Sequence, residues 1–204
     1  MAAGRIILLN GASSAGKSSL ARALQARLDA PFWHWSIDHL RACGALPDAR
    51  IASGEVDWAA LRPAFFDGFH RSIPALAGAG NDLIVEHIVE TQAWMDRLVE
   101  LLAPFDVFFV GVHCDVDELE RRELSRGDRR VGSAREDAAT THGFCEYDHE
   151  VDTTAPSEAL AADLIRAWKE RQPPGALARM AVRRRNTASP QDCANCAGPS
   201  EGPS

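Results

Sequence analysis

The chain has 204 residues, of which 46% are hydrophobic and 25% charged, a composition typical of one globular domain with a short extension. Its formal net charge of −7 argues against non-specific nucleic-acid binding, because that binding needs Lys and Arg to neutralise phosphates. No apolar run is long enough for a membrane span or a signal-peptide core, so we expect no membrane partner and a cytoplasmic location.

Short apolar runs alternate with segments of helical spacing along the chain. Strands are predicted over residues 5–9, 32–37, 83–86, 107–112 and 150–152. Helices are predicted over 17–29, 38–43, 58–77, 95–102, 117–125, 134–142 and 160–168, with a loop over 44–54. Strands that alternate with helices predict an α/β fold, in which helices cover both faces of a parallel sheet.

The composition changes at Pro173, beyond which Pro, Gly, Ser, Ala and Asn dominate. We therefore predict a domain over residues 1–172 and a disordered tail over 173–204. Cys193 and Cys196 in this tail have the spacing of a zinc-binding pair. A structural zinc site needs four ligands and no second pair accompanies them, which favours a chance pair of thiols.

Residues 11–18 fit the phosphate-binding pattern G-x-x-x-x-G-K-[ST], between a predicted strand and an amphipathic helix. The glycines let the backbone curl so that N–H groups point inward at phosphate oxygens. Lys17 adds positive charge near the β- and γ-phosphates, and Ser18 offers a hydroxyl to Mg²⁺. The predicted nucleotide-binding residues are Gly11, Ala12, Ser13, Ser14, Ala15, Gly16, Lys17, Ser18 and Ser19.

Two acids at the ends of predicted strands favour a kinase over other P-loop proteins. The N-K-x-D element of a GTPase is absent from the sequence. Asp38 follows the second strand, at the edge where α/β sheets bind ligands, and is the candidate base for an acceptor hydroxyl. A helix N-cap is the alternative role for Asp38. Glu86 ends the third strand and is a candidate Mg²⁺ ligand with Ser18, or else a solvated acid.

An arginine-rich segment around Gly127 predicts a lid that closes over the phosphates. Guanidinium groups stabilise the charge on a phosphoryl group in transfer, and closure excludes water. Arg126 and Arg129, which flank Gly127-Asp128, are the predicted catalytic arginines. For Arg121 and Arg122, a solvated helix face balanced by acids is an equal alternative.

Five segments together resemble the chloramphenicol phosphotransferase family. They are the Ile-Ile-Leu-Leu-Asn-Gly run with the loop after it, Ile-Asp-His-Leu at 37–40, Val-Gly-Val-His-Cys-Asp at 110–115, Arg-Gly-Asp-Arg at 126–129, and the stretch from 146 to 154. The resemblance implies an adenylate-kinase-like P-loop fold and O-phosphorylation that depends on ATP and Mg²⁺. It also implies that Asp38 is the base, that the lid with Arg130 contacts phosphate, and that Thr153 lies near the adenine.

We therefore predict a phosphotransferase that moves the γ-phosphoryl group of ATP onto the hydroxyl of a small molecule, with chloramphenicol or a related antibiotic as a candidate. One alternative is a kinase of a nucleotide, a nucleotide-sugar or an RNA end. Another is a non-catalytic ATP-binding module, although a sensor needs no acceptor base. The oligomeric state stays open.

Overall fold

The computed structural model describes residues 2–126 and 132–187, and for Arg126 the backbone alone. Its strands are β1 (Ile6–Asn10), β2 (Trp33–Ser36), β3 (Leu83–His87), β4 (Val107–His113) and β5 (His149–Asp152). They form one parallel sheet in the order β2-β3-β1-β4-β5. The strand that leads into the phosphate-binding pattern therefore lies at the centre, and the carboxyl ends of all these strands share one edge.

The helices lie in the connections between strands and after the last strand. They are α1 (Lys17–Gln25), α2 (Ile37–Ala42), α3 (Asp48–Ala52), α4 (Trp58–Gly78), α5 (Gln92–Leu102), α6 (Val116–Arg126), α7 (Ser133–Thr140), α8 (Ser157–Glu170) and α9 (Ala176–Thr187). Across the described ranges, no helix has the length and apolar content that crossing a bilayer requires.

Side chains of β1 alternate between two hydrophobic cores, because successive residues of a strand point to opposite faces. Ile7 and Leu9 belong to the core that contains residues of α1 and α8. Ile6 and Leu8 belong to the core that contains residues of α4, α5 and α9. All residues of β1 are buried, as expected for a central parallel strand covered on both faces. The predicted α/β fold is confirmed.

The structure differs from the prediction in the predicted tail and in the predicted loop over 44–54. The predicted disordered tail was wrong for residues 176–187, which form α9. Ala176, Leu177 and Met180 are buried in the same core as β4, and the Ala176 N–H donates to Asp148 Oδ1 at 2.7 Å. Pro, Gly and Arg around this short apolar face obscured it in the sequence. The short helix α3 lies in the predicted loop, and Cys193 and Cys196 lie outside the described residues.

Candidate active site

The loop between β1 and α1 has a tight curve that its glycines make possible. A Cβ atom on Gly11 would lie 2.3 Å from the carbonyl oxygen of Val112, so this position has no room for a side chain. Gly16 has φ +88°, a left-handed conformation that favours glycine, directly before α1 begins at Lys17. This backbone has the curvature that a phosphate cradle requires, with a helix N-terminus behind it.

The Lys17 side chain folds back over the loop and is only 8% exposed. Its Nζ donates to the carbonyl oxygens of Gly11 at 2.8 Å and Ala12 at 2.7 Å. These contacts hold the ammonium group against the loop, where its charge adds to the positive end of the α1 dipole.

A carboxylate from α7 contacts the same loop. Asp137 Oδ2 accepts the backbone N–H of Ser13 at 3.0 Å. Anions at helix N-termini and in glycine-rich loops bind through such N–H groups, and here the carboxylate of Asp137 is the anion that this donor binds. Sequence analysis missed Asp137, because nothing local in the chain relates it to the loop.

Ser18 and Glu86, the two predicted Mg²⁺ ligands, are in direct contact. Ser18 Oγ donates to Glu86 Oε2 at 2.8 Å, and His34 Nε2 contacts the other carboxylate oxygen, Oε1. Burial raises the pKa of the Glu86 carboxyl, but the contact with His34, the charge of Lys17 and the Ser18 hydroxyl outweigh burial and hold that pKa below its usual value. Glu86 is therefore ionised at neutral pH.

This pair fits a hard divalent cation in the chemistry of its donors. A hydroxyl and an ionised carboxylate are oxygen ligands of the kind that Mg²⁺ prefers, and Mg²⁺ usually takes only one or two carboxylates, with phosphates and water as the other ligands. Sequence analysis found Glu86 from its place at the end of a strand. It missed His34, whose place in β2 gave no signal of this contact.

Asp38 lies in the first turn of α2 and is exposed. The N-cap of this helix is Ser36, whose Oγ accepts the His39 N–H at 3.2 Å. The alternative role of Asp38 as the N-cap is therefore wrong. Ser36 pairs with Glu86 in the β2–β3 register, so Asp38 follows by two residues the position on β2 that pairs with Glu86.

Arg122 on α6 lies beside the loop and contacts Thr153, the residue predicted near the adenine. Arg122 Nη2 donates to the Thr153 carbonyl oxygen at 2.9 Å, and Nη1 donates to Oγ1 at 3.2 Å. A Cβ atom on Gly16 would lie 3.4 Å from Arg122 Nη1 and 3.5 Å from Thr153 Cβ. Both arginines pair with Glu118, but the Arg121 side chain is 71% exposed, as the solvated-helix alternative predicts, whereas that of Arg122 is 27% exposed.

The predicted lid arginines fall mostly outside the structure's description. Arg129 and Arg130 lie in the gap between its two ranges, and of Arg126 only the backbone is described. Their assignment therefore stays a prediction.

Asn10, the last residue of β1, ties the loop to two neighbouring segments and is fully buried. Its Nδ2 donates to the Thr141 carbonyl oxygen and to the Tyr147 hydroxyl, both at 2.8 Å. Its Oδ1 accepts the Val89 N–H at 2.8 Å. These hydrogen bonds fix the end of β1 from which the loop begins, a role that sequence analysis missed.

Glu123 anchors the start of α7, the helix that carries Asp137. Its buried carboxylate accepts the backbone N–H groups of Gly132 at 2.6 Å and Ala134 at 2.9 Å, and the Ser133 hydroxyl at 2.5 Å. A carboxylate at a helix N-terminus satisfies N–H groups that lack a partner within the helix. Glu123 therefore fixes the first turn of α7.

Sequence comparison connects this chain to phosphotransferases. The chloramphenicol phosphotransferase-like family matches residues 4–169. A Mycobacterium tuberculosis protein that carries the provisional name of an O-phosphotransferase is 33% identical over 189 residues, which span 83% of this chain and 84% of the relative. The same match holds in a second strain.

Solved structures of P-loop kinases share the fold. The APS kinase of Mycobacterium tuberculosis, in complex with AMPPNP and APS, has a TM-score of 0.63 at 17% identity and covers 83% of this chain and 100% of its own. A sugar kinase from a Janibacter species has a TM-score of 0.60 at 18% identity, with 81% and 95% covered. Shikimate kinase from Acinetobacter baumannii has a TM-score of 0.53 at 16% identity, with 80% and 92% covered.

Proposed function

The chain belongs to the chloramphenicol phosphotransferase-like family of P-loop phosphotransferases, and from this premise we propose that it transfers the γ-phosphoryl group of ATP to a hydroxyl group of a small molecule. One observation carries the proposal. Ser18, at the end of the phosphate loop, contacts Glu86 of β3 at 2.8 Å. Glu86 pairs with the end of β2, the strand that leads to Asp38, the candidate base for the acceptor hydroxyl.

On the donor side, the loop N–H groups and Lys17 bind the phosphates of ATP. Ser13 donates its N–H to a phosphate oxygen, which requires Asp137 to give up this donor. The Lys17 ammonium group, which in the structure donates to two loop carbonyl oxygens, donates to phosphate oxygens when ATP binds. Thr153 contacts Arg122, which lies beside the loop. In the proposed binding mode Thr153 is near the adenine.

Ser18 and Glu86 are the residues that would hold Mg²⁺, which would neutralise charge that develops on the β- and γ-phosphates. Ser18 supplies its hydroxyl oxygen and Glu86 supplies the carboxylate oxygen that now accepts from Ser18. Because the Glu86 pKa is held low, the carboxylate of this pair is ionised at neutral pH.

On the acceptor side, Asp38 orients the hydroxyl and takes its proton. The hydroxyl oxygen forms a bond to the γ-phosphorus, while the bond from that phosphorus to the bridging oxygen of ADP breaks. Arg126 and Arg129 stabilise the charge on the moving phosphoryl group, and Arg130 contacts the nucleotide phosphates.

The acceptor is tested by offering ATP and Mg²⁺ with hydroxylated antibiotics including chloramphenicol, nucleosides, nucleotides, nucleotide-sugars and RNA ends. The measured quantity is the product mass with one added phosphate. A phosphate ester of a neutral hydroxylated compound supports the proposal. Phosphate found only on a nucleotide, a nucleotide-sugar or an RNA end assigns the other acceptor class. ATP binding without any phosphorylated product favours the non-catalytic module. The cytoplasmic location stays a prediction.

A further inference from the structure

The two carboxylate oxygens of Glu86 contact side chains from two different elements. Oε2 accepts from the Ser18 hydroxyl of α1 at 2.8 Å, and Oε1 contacts His34 Nε2 of β2. The side chains of His34 and Glu86 are each only 8% exposed. A buried glutamate with both oxygens engaged has one fixed orientation, which a metal ligand requires.

His34 is itself held in place by the edge of the sheet. It pairs with Ile84 in the β2–β3 register, two positions before the pairing of Ser36 with Glu86, so that His34 and Glu86 project from the same face. The His39 ring packs edge-on against the His34 ring with centroids 4.4 Å apart. His39 Nδ1 also lies 3.1 Å from the His34 carbonyl oxygen.

We propose that His34 is a positioning residue that fixes the Glu86 carboxylate for Mg²⁺ binding, by holding Oε1 so that Oε2 stays directed at Ser18. This role rests on the proposed function and deepens it. Groups that hydrogen-bond to a metal ligand orient that ligand and commonly change metal affinity by about 10- to 100-fold when removed.

Two amide substitutions separate this role from a general packing role. In His34→Gln, the amide nitrogen can occupy the place of Nε2 and donate to Oε1. In His34→Asn, the same amide is one methylene shorter and falls short of Oε1. Both variants place a neutral, polar amide at this position, so they differ only in its reach. His149→Asn on β5, a partly exposed histidine paired with Asp163, is a control for histidine loss elsewhere.

The measurement is the affinity of the full-length protein for Mn²⁺ in the presence of ADP, followed by the spin-resonance signal of free Mn²⁺ without turnover. We expect His34→Asn to weaken Mn²⁺ binding by about 10- to 100-fold. We expect His34→Gln and His149→Asn to stay within a few-fold of the wild type. ADP affinity without metal is expected to be unchanged in every variant.

Mn²⁺ affinity in His34→Asn equal to that of the wild type would overturn the inference, as would equal weakening in both amide variants. Circular dichroism melting of each variant shows that the fold is intact. If His34→Asn fails to fold, weakened Mn²⁺ binding in His34→Gln still overturns the inference, and if His34→Gln fails to fold, wild-type affinity in His34→Asn still overturns it. A wild-type protein that binds no Mn²⁺ with ADP and transfers no phosphoryl group would instead contradict the proposed function.

Discussion

Replacement of Asp137 by alanine should tighten the binding of ATP. The Asp137 carboxylate accepts the Ser13 N–H at 3.0 Å, and a nucleotide phosphate needs this donor. A hydrogen bond to a charged group contributes about 1.5–3 kcal/mol, and about 1.4 kcal/mol corresponds to a factor of ten in affinity. Because Asp137 is only half-buried, we take the lower end and expect about tenfold tighter ATP binding in Asp137→Ala.

Calorimetric titration of ATP, ADP and adenosine against the wild type and the variant measures this effect. Adenosine has no phosphate and is expected to bind equally to both. Asp137→Asn keeps an acceptor oxygen without its charge, so we expect a smaller gain of about threefold. Asp29→Asn removes the same charge from a side chain that is 94% exposed, and is expected to change nothing. Unchanged or weaker ATP binding in Asp137→Ala would refute the competition between this carboxylate and phosphate.

Three further substitutions test single residues of the account. Lys17→Ala is expected to abolish phosphoryl transfer, measured as product formed from ATP, because the phosphate-binding charge is lost; unchanged activity would contradict its role. Asp38→Asn is expected to lower kcat by roughly 10²–10⁴-fold with ATP affinity kept, and normal turnover would exclude it as the base. Glu123→Ala leaves the partly buried N–H of Gly132 and the buried N–H of Ala134 without this acceptor, so we expect a loss of about 1–3 kcal/mol in the free energy of unfolding. That loss lowers Tm by roughly 2–10 °C in thermal denaturation, and an unchanged Tm would show that α7 does not depend on this anchor.

Sequence analysis predicted most elements of the sheet and its helices, because their apolar residues recur at the spacing of buried strands and amphipathic helices. The phosphate loop was equally predictable from the sequence, since its residues are contiguous. Its glycines are required by geometry, as the close approach of Gly11 to Val112 illustrates. Glu86 was selected as a candidate ligand because it ends the predicted strand, at the edge where ligands bind in this class of fold, and its role stays a prediction; β3 extends one residue further, to His87.

The residues that were missed act through contacts between distant parts of the chain. Asp137 meets Ser13 across 124 positions, and His34 meets Glu86 across 52. No local spacing encodes such contacts, which follow from strand order and helix packing. The helix α9 was missed for a related reason, since its short apolar face becomes significant only when it packs on the core beside β4.

Transfer of label from γ-labelled ATP tests the central claim most directly. The wild type and Lys17→Ala are incubated with Mg²⁺ and the acceptor identified from the panel, and labelled products are separated. The account predicts label in a phosphate ester of the acceptor's hydroxyl group with the wild type, and none with Lys17→Ala. Label that appears only as inorganic phosphate, or that reaches the acceptor equally in Lys17→Ala, would contradict it.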